Sequence, residues 1–255
     1  MAKKNEIHSI ALFAGGLLLL LLAWLLKSFP LLIFIAYSPF IAIANRSRKD
    51  RPAWSQVELV LVALSLSLFA STFFEWDMLL WCVIESILIS LLFLLYTFMR
   101  KKIGSGISII TIALFWMALE YVFIKIGSSN YIFLADALQL VPTWVRWNTY
   151  TGYLGASLWI LCTNLLLYKA ILESRKVNWI YTFLFLLAVI GPLVYSQVLD
   201  LPPITREQML SFYNDHTEDL PFTYLARGEY IARTAAWVSV LIVLFVSVRL
   251  KTSRK

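Results

Sequence analysis

"NTYTGYLGASLWILCTNLLLY" (residues 148–168) begins with polar residues and two glycines and continues as an apolar run. The run from 154 to 172 is long enough to cross a bilayer as a helix, since about 20 apolar residues span the hydrocarbon core. It nevertheless contains Asn164, and a polar side chain inside the membrane is costly unless it has a partner. The stretch therefore predicts a membrane helix whose polar positions either pair with other helices or contact a ligand.

The composition is that of a membrane protein. Of the 255 residues, 60% are hydrophobic and 15% charged, which is more apolar than a soluble core requires. The two cysteines, Cys82 and Cys162, both lie in apolar runs, so no disulfide framework is predicted. The first apolar run follows Lys3 and Lys4 but reaches Lys27 without a small-residue cleavage site, so we expect a retained anchor rather than a signal peptide.

Apolar windows of spanning length recur along the whole chain. They predict an all-α polytopic protein with eight transmembrane helices, forming a single membrane domain over residues 1–255. The windows run approximately over residues 10–26, 30–44, 57–73, 78–98, 107–126, 154–172, 179–195 and 235–248.

The basic residues predict the orientation of these helices. If the N-terminus is cytoplasmic, 16 of the 22 Lys and Arg residues fall on the inside segments. The positive-inside rule therefore predicts eight spans with both termini cytoplasmic. The net charge of +7 is explained by this orientation and calls for no nucleic-acid partner. The basic residues left outside are Lys27, Lys125, Arg146, Arg206, Arg227 and Arg233.

Two outside loops are longer than the others, at residues 127–153 and 196–233. The first contains "SNYIFLADALQLVPTWVRWNTY", which is rich in aromatic residues and leucine but interrupted by proline, so we expect interfacial helices there. The second contains three prolines and is too short for a second soluble domain. We expect it to form a lid or a helical hairpin.

Three of these segments carry a family resemblance. "VPTWVRWNTYTGYLGASLWILCTNLLLYKAI" resembles the sequence with which apolipoprotein N-acyltransferases begin their sixth span. "ALFWMALEYVF" is similar to their preceding span, and "FTYLARGEYIARTAAWVSVLIVLF" to the start of their last span; the early "SFPLLIFIAYSPFIAI" fits as well. The matching positions are Trp116, Glu120, Trp147, Tyr150, Thr151, Gly152, Gly155, Trp159, Asn164, Gly228, Glu229, Tyr230, Ile231 and Arg233.

The resemblance covers the membrane part of that family and implies that its catalytic part is missing. The family inserts a nitrilase-type domain with a Glu-Lys-Cys set between its last two spans, where the thiolate takes an acyl chain from phospholipid. In this chain the corresponding loop, residues 196–233, contains neither Cys nor Lys. The resemblance therefore implies a membrane domain without the family's chemistry, and if the chain is an enzyme at all it is an acyltransferase.

The alternative to a non-catalytic membrane domain is an enzyme whose catalytic residues lie elsewhere in the chain. Cys82 and Glu85 lie three residues apart, thus on one face of a helix, and His216 stands among acidic residues in the last loop. The structural explanation is that Cys82 is a small buried side chain and His216 a solvated loop residue. One histidine beside carboxylates lacks the further ligands of a zinc site, so neither a metal nor a cofactor is predicted.

A second set of polar and small residues coincides with the resemblance and predicts a lipid site. These residues either form a hydrogen-bonded network that fixes the sixth helix, or line a pocket for a lipid headgroup or a diacylglyceryl-cysteine, with both arginines facing phosphate. The set comprises Glu120, Arg146, Trp147, Tyr150, Gly152, Gly155, Asn164, Glu229 and Arg233.

These observations favour a multi-pass protein of the bacterial inner membrane. We expect it to be non-catalytic, to bind phospholipid or lipoprotein acyl chains, and to act as a scaffold for a partner protein of the cell envelope. The alternative is an active lipid or lipoprotein acyltransferase with relocated residues. A transporter or channel is disfavoured because the charged residues cluster near span ends and no inverted repeat is visible.

Overall fold

A computed structural model describes residues 2–26, 30–45, 53–126, 130–174, 176–214 and 229–252. Within these ranges every regular element is helical, as the apolar windows predicted. The helices are α1 (Ala2–Leu25), α2 (Ile33–Ala36), α3 (Ser38–Asn45), α4 (Ala53–Ser71), α5 (Leu79–Ile103), α6 (Ser105–Ile126), α7 (Asn148–Thr151), α8 (Gly155–Leu167), α9 (Trp179–Val198), α10 (Arg206–Asn214) and α11 (Tyr230–Thr252).

Five helices in the described part of the chain are long and apolar enough to cross a membrane. They are Trp76–Arg100, Ser108–Ile126, Gly155–Leu172, Trp179–Val198 and Tyr230–Val248. Three further apolar helices, Ile10–Leu25, Pro30–Asn45 and Glu58–Ser71, are shorter and coincide with the first three predicted windows. The chain is therefore a multi-pass membrane protein; the count of eight spans and the cytoplasmic termini stay predictions.

Helix α8 lies at the centre of the bundle. It packs against α2, α3, α6 and α9, while α1, α4, α5, α6 and α11 pack against one another in that order. More than half of the α8 span is buried, but only 6% of the α9 span is. Helix α9 is therefore a peripheral helix whose apolar surface is left uncovered by the rest of the described chain.

The second apolar window is a broken helix, and Asn164 of α8 stabilises the break. Pro39 lacks an N–H, so a continuous helix would leave the Ile35 carbonyl without a donor. The Ser38 hydroxyl donates to that carbonyl at 2.7 Å. The Asn164 side-chain oxygen accepts from the backbone N–H of Tyr37 at 2.8 Å and of Ser38 at 3.0 Å. Its amide nitrogen donates to two more backbone carbonyls, at 2.8 and 2.9 Å.

Residues 131–138 of the first long loop are packed inside the protein, and their position relative to the membrane interface stays a prediction. Their side chains are buried inside the bundle, Phe133 and Leu138 completely, and residues 134–138 form a short 3-10 helix. This burial is tolerated because side chains of the surrounding helices accept hydrogen bonds from the loop's backbone amides. The second 3-10 turn of this segment, Pro142–Trp144, contains no fully buried residue.

Candidate functional site

Carboxylates from two spanning helices hold the buried loop. Glu85 of α5 accepts a hydrogen bond from the backbone N–H of Ile132 at 3.1 Å. Glu120 of α6 accepts one from the N–H of Leu134 at 2.8 Å. Both carboxylates are almost fully buried. Two of the acidic residues singled out in the sequence therefore meet at one loop, where each replaces a backbone acceptor.

The loop completes its own hydrogen bonding with two more side chains. Phe133 donates its N–H to Asp136 at 2.9 Å, and Ala135 donates to the hydroxyl of Ser157 on α8 at 3.0 Å. The four successive amides of residues 132–135 are thus bonded to side-chain oxygens from α5, α6, α8 and the loop itself. This arrangement fixes the loop against three helices at once.

Asp136 joins the loop to α10 and to the start of α8. The Arg206 guanidinium donates to its carboxylate at 2.8 Å and also to the backbone oxygen of Tyr131 at 2.8 Å. The Tyr153 hydroxyl donates to the other carboxylate oxygen at 2.6 Å. Burial raises the pKa of Tyr153 well above its usual range, and the neighbouring Asp136 charge raises it further.

Some polar atoms around this loop have no hydrogen-bond partner among the described residues. They are one carboxylate oxygen each of Glu85 and Glu120, and the hydroxyl of Tyr131, whose pKa burial raises. No group of three or more His, Cys, Asp or Glu side chains in the described ranges is arranged to hold a metal ion. The carboxylates are therefore explained as supports for the loop.

The Glu229 carboxylate lies against Gly152 and the start of α8, a contact that we call the Glu229–Gly152 clasp. The Glu229 carboxylate accepts from the N–H of Tyr153 at 2.6 Å and of Leu154 at 2.9 Å, directly before α8 begins. A negative charge at a helix N-terminus is favoured by the helix dipole and by the unpaired amides there. The Glu229–Gly152 clasp thus attaches the start of α11 to the start of α8.

Gly152 is required by this geometry. Its backbone has φ 86° and ψ 166°, a region that only glycine adopts readily. A Cβ atom at this position would lie 2.5 Å from the Glu229 Oε2 atom. Gly155 is also closely packed, since a Cβ there would lie 2.2 Å from the Thr151 hydroxyl oxygen and 3.4 Å from the Trp147 ring. Both glycines therefore act in packing.

Arg146 lies in a pocket beyond the end of α9. The pocket has a volume of about 290 Å³ and lies between residues 142–146 and 200–203. Within the described part of the chain, the Arg146 guanidinium donates one hydrogen bond, to the Leu199 backbone oxygen at 2.8 Å, and its other N–H groups are donors that a ligand could use. Asp200, an exposed residue, is also on the pocket wall.

The walls of the pocket are tied together by side chains that follow Arg146. Asn148 exchanges two hydrogen bonds with the backbone of Ile204, at 2.8 and 2.9 Å. The Thr149 hydroxyl donates to the Pro202 carbonyl at 2.8 Å. The segment after α9 is therefore fixed to the segment before α8, so the pocket is preformed.

The other predicted lipid contacts are distributed around this region. Trp147 is buried with its ring 5.5 Å from the Trp159 ring, in an edge-to-face arrangement, and Tyr150 is partly exposed. Arg233 lies on the exposed side of the first turn of α11 and is not part of the Arg146 pocket. Burial raises the pKa of Tyr213, and the Arg233 charge opposes this rise only as a minor cause.

The predicted catalytic candidates are not assembled into a site. The Cys82 side chain is 1% exposed, inside the bundle, and Glu85 is engaged with the buried loop. Cys162 is on the exposed face of α8. His216 and Gly228 lie outside the described residues.

Sequence reasoning missed Asp136, Arg206 and Tyr153 as parts of the site. The signal that could have found two of them is charge: Asp136 is an acidic residue in the apolar stretch "IFLADAL", and Arg206 is a basic residue in an acidic loop. Comparison of the chain with protein-family models, with curated proteins and with solved structures finds no match. The resemblance to the apolipoprotein N-acyltransferases therefore rests on the residues quoted above.

Proposed function

We propose that this chain is a non-catalytic lipid-binding protein of the bacterial inner membrane that spans the bilayer eight times with both termini cytoplasmic. It binds phospholipid or lipoprotein acyl chains on its outer face and serves there as a scaffold for a partner protein of the cell envelope. The observation that carries this proposal is the preformed Arg146 pocket next to the exposed apolar helix α9.

The chemistry of the pocket fits a phospholipid headgroup. A guanidinium offers planar, paired donors that match phosphate oxygens. Asp200 on the same pocket wall matches a cationic amine, so a headgroup carrying both charges suits the pocket better than a purely anionic one. The acyl chains of such a lipid would lie along α9, of which only 6% is buried in protein.

The buried position of Cys82 counts against the acyltransferase alternative. Acyl transfer through a thioester needs a thiolate that the lipid carbonyl can reach. The Cys82 side chain is almost completely covered, and the neighbouring Glu85 carboxylate is hydrogen-bonded to the Ile132 amide. A general base in that position is committed to the loop, so the pair supports the fold.

Lipid-induced stabilisation of the delipidated, detergent-purified protein tests the proposal. A ligand present at ten times its dissociation constant stabilises the folded state by about 1.4 kcal/mol. Phosphatidylethanolamine should therefore raise the unfolding midpoint of the wild type, and more than phosphatidylglycerol does. Arg146→Gln should lose this shift, whatever its effect on the midpoint without lipid.

The matched control is Lys102→Gln. Lys102 is an exposed cation near the end of α5 opposite to the end that contacts the buried loop. Its variant should keep the full lipid-induced shift. Equal shifts in the Arg146 and Lys102 variants would show that the lipid acts elsewhere and would refute the pocket as the binding site.

A further inference from the structure

The turn between α4 and α5 contains two consecutive residues in a conformation that disfavours side chains. Phe73 has φ 54° and Phe74 has φ 63°, and they are the two non-glycine residues with positive φ in the described part of the chain. Non-glycine residues in this region are uncommon, and for bulky residues they are outliers. The strain is therefore a feature of this turn that the fold must support.

The hydrogen bonds identify the turn as a helix C-terminal motif in which glycine is usual. The Phe73 N–H donates to the Ala70 carbonyl at 3.0 Å, and the Phe74 N–H donates to the Phe69 carbonyl at 3.1 Å. This pair of bonds is the Schellman arrangement, whose left-handed residue is most often glycine because glycine has no Cβ penalty. In this chain phenylalanine occupies that position at a cost in stability.

In this turn three large aromatic rings are exposed. Phe73 is 66% exposed, Phe74 51% and Trp76 77%. The Phe74 and Trp76 rings rest on the Phe69 ring, with centroids 5.3 and 5.6 Å away. The rings are thus held in place on one side and open on the other.

We propose that this turn, residues 72–77, is an interfacial anchor that inserts its aromatic rings at the headgroup level of the bilayer. The turn directly follows the apolar helix Glu58–Ser71, and its last two residues begin the span Trp76–Arg100, so both chain connections lead into the hydrocarbon. Aromatic residues are enriched at this depth because the ring is apolar and its edge tolerates water.

Charge specifies the kind of surface. Glu75 and Asp77, the two acidic residues that flank Trp76, are exposed and form no ion pair with any described residue. They repel an anionic surface, so the anchor fits a leaflet region of zwitterionic headgroups. The anchor fixes the depth of α4 and α5, and it does not depend on the Arg146 pocket.

The emission of Trp76, obtained as the difference between wild type and Trp76→Phe, tests the anchor. The protein is reconstituted in phosphatidylcholine vesicles with bromine placed at different depths of the acyl chain. Bromine near the headgroup should quench the Trp76 difference emission more than bromine near the chain end. Trp237, which is 67% exposed within the last span, is the control, and its difference emission should show the opposite depth order.

Substitution of one of the two strained residues supplies a second readout. Phe73→Gly should raise the unfolding midpoint in detergent, because the strain at that residue is relieved, and should reduce shallow-bromine quenching of Trp76 in vesicles because one anchoring ring is lost. A role in folding alone predicts a lower midpoint and would overturn the proposal. Quenching of Trp76 by aqueous iodide instead of bromine, or by neither reagent, would overturn it too, since the ring would then face water or protein.

Discussion

Replacing Gly152 by alanine is the sharpest test of how the site is built. The substitution adds one methyl group at a backbone conformation that alanine disfavours, with φ 86° and ψ 166°. The methyl carbon would lie 2.5 Å from the Glu229 Oε2 atom, well inside van der Waals contact. The carboxylate must therefore move away from the two amides that it accepts from, those of Tyr153 and Leu154.

The expected loss follows from these contacts. A residue held in a sparsely populated backbone region costs about 1–3 kcal/mol. Each hydrogen bond to a charged group contributes about 1.5–3 kcal/mol. If both bonds of the Glu229 carboxylate are broken, the Gly152→Ala variant loses roughly 4 kcal/mol or more of the free energy of unfolding.

The assay is denaturant-induced unfolding of the purified protein in detergent, followed by tryptophan emission. Gly15→Ala in α1 is the matched control, because a Cβ there would meet no atom within 4 Å beyond its chain neighbours and its own helix backbone, and no proline directly follows it. A helical glycine replaced by alanine gains about 0.5–1 kcal/mol, so this variant should be as stable as the wild type or more so.

A double variant separates clash from backbone strain. In Gly152→Ala combined with Glu229→Ala the carboxylate is already absent, so the clash disappears. The double variant should therefore lose less free energy of unfolding than the sum of the losses in the two single variants. Strictly additive losses, or a Gly152→Ala variant as stable as the wild type, would refute the clasp as described.

Three further predictions follow from other parts of the structure. Asn164→Leu leaves two buried amides at the break between α2 and α3 without acceptors and should cost about 2–6 kcal/mol in the same unfolding assay, whereas an effect below 1 kcal/mol would contradict the bonding described. Tyr153 has a pKa raised above the ordinary 10.0, so its folded form binds the proton more tightly; its contribution to stability is complete below that pH and is lost as the pH rises through the folded pKa. Unfolding midpoints measured upward from pH ~9 should therefore fall less steeply for Tyr153→Phe, and an identical slope would argue against the raised pKa. In detergent at alkaline pH, a membrane-permeant maleimide should label Cys162 faster than Cys82, and modification of Cys82 at a comparable rate would show that its side chain is accessible.

The fold class could be predicted from the sequence because the apolar windows are long and are separated by more polar segments. Five of the windows form helices of spanning length, and three form shorter apolar helices. The pattern could not show how the break at Tyr37 in the second window is stabilised, because the acceptor of the freed amides is Asn164, more than one hundred residues away. Composition also could not show that residues 131–138 are buried inside protein, because the carboxylates on α5 and α6 that support this loop are invisible to any local pattern.

The candidate site was predictable in part and for a physical reason. Gly152, Gly155 and Glu229 stand out as small or charged residues beside apolar runs, and the structure brings Gly152 and Glu229 into contact. Their contact itself requires the position of α11 relative to α8, which no spacing along the chain reveals. Asp136 and Arg206 pair across seventy residues and could be recognised only as isolated charges.

Intact-protein mass spectrometry after incubation with phosphatidylethanolamine tests the central claim most directly. If the chain binds phospholipid without catalysis, native spectra should show phospholipid adducts that are lost in Arg146→Gln, and denaturing spectra should show the bare protein mass. An acyl-sized mass increment that survives denaturation in the wild type and disappears in Cys82→Ser would contradict this claim, because the chain would then form a thioester. The absence of any native adduct would contradict the binding function itself.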